Sequence, residues 1–292
     1  MMHNKLLLGS ILYLISAGIS VSSNIFVKKM MIQHQIPAWE AIAIRQTVIC
    51  AILLPFMVKT RFSFLNKQTF KWNVIRNVLY AISIGIMHIA LFYIPINNGT
   101  SMQFLTPIIA SILACFILKE PKSWLLWSSL CVCVSGALII QQPSFDDSAV
   151  MFAYLLLFVS ILLKSIITVL NRKLALQFNV ATLIFYMHTI VLLVSLCFFY
   201  EFIKVPFIVW FTLGIVGMAY LLEYILIYTA YKHCTVTLLQ PLEFSKIIYS
   251  IIISQLILGE TTTLIQIIGS FIIICGFSMM LVHVKKTQSA QN

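Results

Sequence analysis

The sequence divides into ten apolar stretches, near 5–27, 38–58, 73–93, 99–118, 123–141, 149–170, 180–200, 206–231, 236–258 and 263–284. Each is close to the about 20 residues that an α-helix needs to cross the hydrocarbon core of a bilayer. Inside lipid no water is present to satisfy backbone N–H and C=O groups, so such runs fold as helices. Hydrophobic residues make up 61% of the chain and charged residues 9%, against about 45–50% and about 25% in soluble domains. The longest loop is expected near 59–72, which leaves no room for a soluble domain. The expected fold is an all-α integral membrane protein of ten transmembrane helices.

The formal net charge of +11 would suit a nucleic-acid partner, but its distribution argues for a lipid bilayer instead. With the N-terminus inside, twelve Lys and Arg residues fall on inner loops and ends, and three (Lys28, Lys29 and Lys204) fall outside. That bias follows the positive-inside rule. It predicts cytoplasmic termini, an even number of spans and no nucleic-acid partner. The first span has no convincing small-residue cleavage site after it, so it is expected to remain as mature structure.

Six of the seven cysteines lie in spans. The C-x-C at Cys131 and Cys133 points its two side chains to nearly opposite faces of a helix, so neither a metal site nor a disulfide framework follows. The chain has no P-loop, H-E-x-x-H or G-x-S-x-G motif. No cofactor or metal is expected, and the chain does not read as an enzyme. His188 with Ser195 is the thin candidate for membrane-embedded catalysis. A channel would line its pore with repeated like residues, whereas the few buried charges here are mixed in sign.

The chain also repeats itself. KEPKSWLLWSSLCVCVSGALII at 119–140 echoes GETTTLIQIIGSFIIICGFSMM at 259–280. Glu120 to Gly136 and Glu260 to Gly276 are both 16 positions, and the shift between the two copies is 140. VKKMM at 27–31 likewise echoes NRKLA at 171–175. The expected organisation is two five-helix repeats, 1–145 and 146–292. Five is odd, so the repeats insert with opposite orientation. Inverted repeats are a transporter signature, with the binding site where the halves meet.

Charged groups inside the spans are costly and default to function. QPLEFSK at 240–246 places Glu243 and Lys246 three apart on one helical face, while Pro241 removes a helical donor and should kink the helix. A broken, charged helix facing a cavity is expected there, against the alternative of a self-satisfied ion pair. Arg45 is expected to face the same cavity and to meet a carboxylate of the substrate or of Glu243. The eighth span carries Tyr220, Glu223, Tyr224, Tyr228 and Tyr231 along one side, which suits a cationic or aromatic ligand as well as ordinary packing. In the first span Tyr13, Ser16, Ser20, Ser23 and Asn24 form a polar stripe for helix packing, with Asn24 the exception. Arg76 and Lys164 lie towards inner ends, from which they are expected to extend to headgroups. His88 and His188 read as hydrogen-bonded interior residues, and Gly269 with Gly276 as a close helix contact.

PAWEAIAIR at 37–45, LLPF at 53–56, FLTPIIASILACFILKEP at 104–121 and LQPLEFSKIIYSIIISQLILGE at 239–260 resemble the drug/metabolite transporter superfamily, EamA type. Pro107 lies 13 residues before Glu120, but Pro241 lies 19 before Glu260. That longer spacing, with SSNIFVKK at 22–29, is similar to a subgroup containing S-adenosylmethionine uptake transporters. The resemblance implies a secondary, non-ATP transporter of a small-molecule metabolite in the bacterial inner membrane, working by alternating access. It implies a central site between spans one to four and six to nine, braced by the fifth and tenth. Pro241, and Pro107 in the first half, are the candidate kinks. For S-adenosylmethionine, Glu223 or Glu243 would meet the sulfonium, the tyrosines the adenine and Arg45 the amino-acid end. The same groups would serve an exported amino acid or another drug or metabolite. A coupling ion (a proton), a counter-substrate and a homodimer all remain open.

Overall fold

The computed structural model describes residues 2–36, 38–59, 67–93, 102–120, 123–142, 151–197, 205–258 and 262–289. These residues form eleven helices: α1 Met2–His34, α2 Ala38–Lys59, α3 Lys67–Tyr93, α4 Leu105–Ile117, α5 Trp124–Gln141, α6 Met151–Gln177, α7 Val180–Leu196, α8 Phe207–His233, α9 Val236–Glu243, α10 Ser245–Leu258 and α11 Leu264–Ser289. Among the described residues there is no strand. The helices fall on the ten expected spans, with α9 and α10 sharing the ninth. Six segments are apolar and long enough to cross a membrane, and α4 and α7 are shorter apolar helices. The expected loop at 59–72 is partly helical, because α3 already begins at Lys67.

The ninth span contains Pro241 inside α9 and breaks three residues beyond it, at Phe244. Pro241 has no N–H, and its ring crowds the preceding turn. The chain answers with tighter turn bonds: Phe244 N–H to the Pro241 carbonyl at 3.3 Å and Ile247 N–H to the Phe244 carbonyl at 3.1 Å. Glu243 ends one helix and Ser245 begins the next. Pro107 instead sits in the first turn of α4, just after a turn at Phe104, where a missing N–H leaves no helical bond unmade.

Helix pairing follows a pseudo-two-fold that exchanges the halves. α1 lies on α8 as α6 lies on α3, and α2 lies on α8 as α7 lies on α3. α4 packs on α6 as α10 packs on α1, while α2 crosses its own counterpart α7 and α5 its counterpart α11. With five spans in each half, the ninth divided between α9 and α10, this exchange relates two five-span repeats.

The α5–α11 pair is the tightest contact in backbone terms, and the glycines explain it. A Cβ on Gly136 would stand 2.7 Å from the Gly269 carbonyl oxygen, and one on Gly276 would stand 3.0 Å from that of Ser129. The Ser129 hydroxyl donates to the Gly276 carbonyl at 2.7 Å across the contact. Small residues are what let helices approach this closely in lipid. On α5, Cys131 is exposed and Cys133 buried, both as free thiols, so the C-x-C does divide between opposite faces.

Two charged groups serve the scaffold. Arg76 does not reach for headgroups; it is 1% exposed. Its guanidinium donates to the Tyr228 hydroxyl at 2.8 Å, to Asn77 Oδ1 at 3.0 and 3.2 Å, to Asn171 Oδ1 at 3.3 Å and to the Leu183 carbonyl at 3.2 Å. Beyond Asn77 of its own helix, its partners come from α6, α7 and α8, so it ties four helices together. Glu120 reaches across the halves. Lys119 takes a φ of 54°, a left-handed turn that ends α4 and sends Glu120 back towards α9. The Glu120 carboxylate accepts from Val236 N–H at 2.8 Å, Thr237 N–H at 3.0 Å and the Thr237 hydroxyl at 2.8 Å. It thereby satisfies first-turn amides of α9 that have no helical acceptor. Its repeat counterpart Glu260 lies outside the described residues.

Two stability outcomes follow. Gly136→Ala should lower stability by about 1–3 kcal/mol through overpacking, read as thermal unfolding of the purified protein. Gly85→Ala is the control, because nothing lies within 4 Å of its added methyl. Arg76→Met should cost at least about 2 kcal/mol, because several buried acceptors lose a charged donor; an unchanged unfolding temperature would remove Arg76 from the scaffold.

Candidate substrate cavity

Glu243 is the last residue of α9 and Lys246 lies in the first turn of α10. Lys246 Nζ donates to Glu243 Oε1 at 2.6 Å, and the Tyr13 hydroxyl of α1 donates to Oε2 at 2.6 Å. The pair is not sealed off. The Glu243 and Lys246 side chains remain 31% and 32% exposed although their neighbours are interior residues: Tyr13 is 4% exposed and Phe244 2%. Ionisable groups left half-open among interior residues mark this as the candidate site. The sequence assigned Tyr13 to helix packing; it is instead a ligand of the Glu243 carboxylate, 230 residues away in the chain.

α8 supplies the wall opposite. Glu223, Tyr220, Tyr228 and Tyr231 are buried and Tyr224 is half-buried, so the expected stripe does face inward. Its members divide in role. Tyr228 is held by Arg76, and Tyr231 stands edge-on to Tyr13 at 6.3 Å. Both are engaged with neighbouring side chains of the bundle. Tyr224 stands edge-on to His188 at 5.3 Å, with Tyr80 of α3 nearby. Glu223 lies beside Ser20 of α1, with Lys246, Glu243 and Arg45 near enough for their charges to act on it. Its Oε2 is buried without a partner among the described residues.

Arg45 enters from α2. Gly217 lets α2 close on α8, since even a methyl there would lie 3.2 Å from the Arg45 carbonyl oxygen. The guanidinium then stacks over Tyr220 at 3.9 Å, and the Tyr220 hydroxyl donates to Asn24 Oδ1 at 2.5 Å. Arg45 does not pair with Glu243, whose two oxygens are taken by Lys246 and Tyr13. The Arg45 Nε is buried without a partner. Asn24, exposed on α1, is thereby tied to the arginine.

Lys164 corrects a second expectation. It is exposed, but on the wrong side of α6 for headgroups. Met151, Phe152, Leu155, Phe158 and Val159 are exposed along one face of that helix, and Lys164 comes nine residues after Leu155, about 180° round the axis. It faces inward, where the charges of Glu243 and Lys246 act on it.

Tyr80 and Lys164 are the cavity residues the sequence reading missed. A signal existed for Tyr80: the shift of 144 that relates VKKMM to NRKLA carries it onto Tyr224. His188 is an interior residue, with Nδ1 2.6 Å from Gln46 Oε1. Ser195 spends its hydroxyl on the Leu192 carbonyl at 2.8 Å, so the two form no nucleophile and base. The side chain of His88 lies outside the described residues.

This arrangement has counterparts. An S-adenosylmethionine uptake transporter of Rickettsia prowazekii (strain Madrid E) is 24% identical over 245 residues, 82% of each chain. A riboflavin transporter of Vibrio cholerae serotype O1 is 27% identical over 140 residues, 47% of each chain. A solved crystal structure superposes with a TM-score of 0.77 over 95% of this chain and 98% of its own, at 15% identity, which speaks for the fold alone. The EamA-like transporter family profile matches twice, over residues 8–141 and 151–282. A multi-pass, all-helical membrane protein matched over nearly its whole length by that profile is a transporter and not an enzyme: the chain belongs to the EamA-like transporter family.

Proposed function

We propose that this chain is a secondary transporter that takes up S-adenosylmethionine by alternating access across the bacterial inner membrane, with both termini in the cytoplasm. The observation that carries the reading is the Glu243–Lys246 pair, half-exposed at a helix break between the two halves. Keeping two charges inside a helical bundle carries a desolvation cost that their attraction alone does not repay, and charged groups retained there mark substrate pathways. The relative's name supplies the substrate, and the residues suit its chemistry. Glu223 and Glu243 offer carboxylates to a sulfonium and an ammonium. Tyr224, Tyr80 and Tyr220 offer faces for a purine. The cations offer donors to a carboxylate. Asn24 positions Tyr220, and Pro241 with Pro107 supplies the turns at which spans nine and four change direction. Bias in Lys and Arg supports the orientation. A ligand switches such a protein only through unequal affinity for its two states, and a cavity lined by both halves has that property. A proton or a counter-substrate is the coupling partner in this scheme.

A flavin substrate is the second reading, favoured by the aromatic wall and by the second relative's name. The two separate in one assay. Cells lacking a route for S-adenosylmethionine and expressing this chain should accumulate the labelled compound saturably, with S-adenosylhomocysteine competing. Glu243→Gln should lower the rate about 10- to 100-fold, the worth of charge-assisted hydrogen bonds, with the protein still present in the membrane. Uptake unaffected by Glu243→Gln would remove the pair from the site, and riboflavin uptake in place of the sulfonium would select the flavin reading. Tyr13→Phe keeps the ring and loses one donor to Glu243, so uptake should fall by a smaller factor, about 5-fold, with the protein still present in the membrane.

A further inference from the structure

We propose that Lys164 is the cation that binds the carboxylate of the transported molecule, which makes an α-amino-acid head group part of what the cavity selects; the inference rests on the transporter reading above and sharpens its substrate class.

The charges of the cavity do not balance. Arg45, Lys164 and Lys246 face Glu223 and Glu243. Lys246 is bonded to Glu243. Arg45 is stacked on Tyr220, with Glu223 the carboxylate whose charge it feels. Lys164 is left over: its ammonium has no hydrogen-bonding or ion-pair partner among the described residues. Both oxygens of the nearby Glu243 are already taken by Lys246 and Tyr13. An ammonium has three donors and no acceptor, and one exposed on the inner face of its helix with none of them engaged by the protein is open to an anion. The missing partner is an anion that comes and goes.

Position supports the same assignment. Lys164 lies on the face of α6 opposite its lipid-facing residues, so its exposure is to the cavity. Its helix is anchored one residue further on, where the buried Ser165 hydroxyl donates to the Ile161 carbonyl at 2.8 Å and to the Thr106 carbonyl of α4 at 3.2 Å. The lysine is thus a flexible arm on a fixed base. A carboxylate at Lys164 and a cationic centre at Glu223 would be met by opposite charges from α6 and α8. Arg45 is then free to remain on Tyr220 and shape the aromatic wall.

The test compares uptake of S-adenosylmethionine with that of its decarboxylated analogue, which keeps the sulfonium, the adenine and the amine. The wild type should prefer the acid by about 10- to 100-fold, the range for a charge-assisted hydrogen bond. Lys164→Met should bring the two compounds within about threefold of each other by weakening the acid alone. Lys164→Arg should restore most of the preference, which separates a lost contact from a misfolded protein, and membrane levels of each variant are followed by immunoblot. If Lys164→Met transports and still prefers the acid, the assignment is overturned while the transporter reading stands. If the wild type accumulates neither sulfonium compound but does take up riboflavin, which has no carboxylate, the substrate reading fails and the inference falls with it.

Discussion

Every charge in this protein that lies out of reach of bulk water has to be met by the protein itself, and how each is met decides what it does. Arg76 is met completely, by neutral acceptors from several helices, and is therefore scaffold. Glu120 is met completely too, by backbone and side-chain donors at the start of α9. Glu243 is met, yet stays partly open. Glu223, Arg45 and Lys164 are left with unfilled hydrogen-bonding capacity beside an opening. In a medium without water to spare, unfilled capacity is destabilising, and it is tolerated where a transient partner fills it.

The scaffold is symmetric and the site is not. Exchange of the halves reproduces the helix pairing, and the glycine contacts of α5 and α11 lie about that same axis. Yet the charges of the ninth span have no counterpart in the fourth. Setting Pro107 on Pro241, a shift of 134, puts Ile109 and Ile112 where Glu243 and Lys246 stand. The first half contributes Tyr13, Arg45 and Tyr80 instead. Duplication explains the frame, and divergence within it explains how one cavity came to have chemically different walls.

Much of the frame was legible in the sequence because it depends on local pattern. Span positions follow from runs of apolar residues, and the α5–α11 contact from glycines seven apart. The tyrosine stripe follows from helical period. What was not legible depends on azimuth and on distant partners. Arg76 and Lys164 sit at similar distances from span ends, so depth alone assigned both to headgroups. Depth is set by position along a helix, but facing is set by which neighbours the helix packs on. For α6 the lipid face is marked by Leu155 and Phe158, and only relative to that face does Lys164 turn inward. The Tyr13–Glu243 bond joins helices from opposite halves, and no local period encodes it.

The same bond constrains how the halves can move. α9 is only eight residues long, and it is held to the first half at both ends: Glu120 of the α4 terminus grips its start, and Tyr13 of α1 grips Glu243 at its finish. The break at Phe244 separates it from α10, which runs on against α1 and α11. A rocking motion that parts the halves must therefore either break both grips or carry α9 along with the first half. Breaking both would strand a carboxylate at each end of α9, and one of them caps amides that have no other acceptor. In the alternating-access scheme proposed above, the whole ninth span then travels with the first half, because α10 as well as α9 packs on α1.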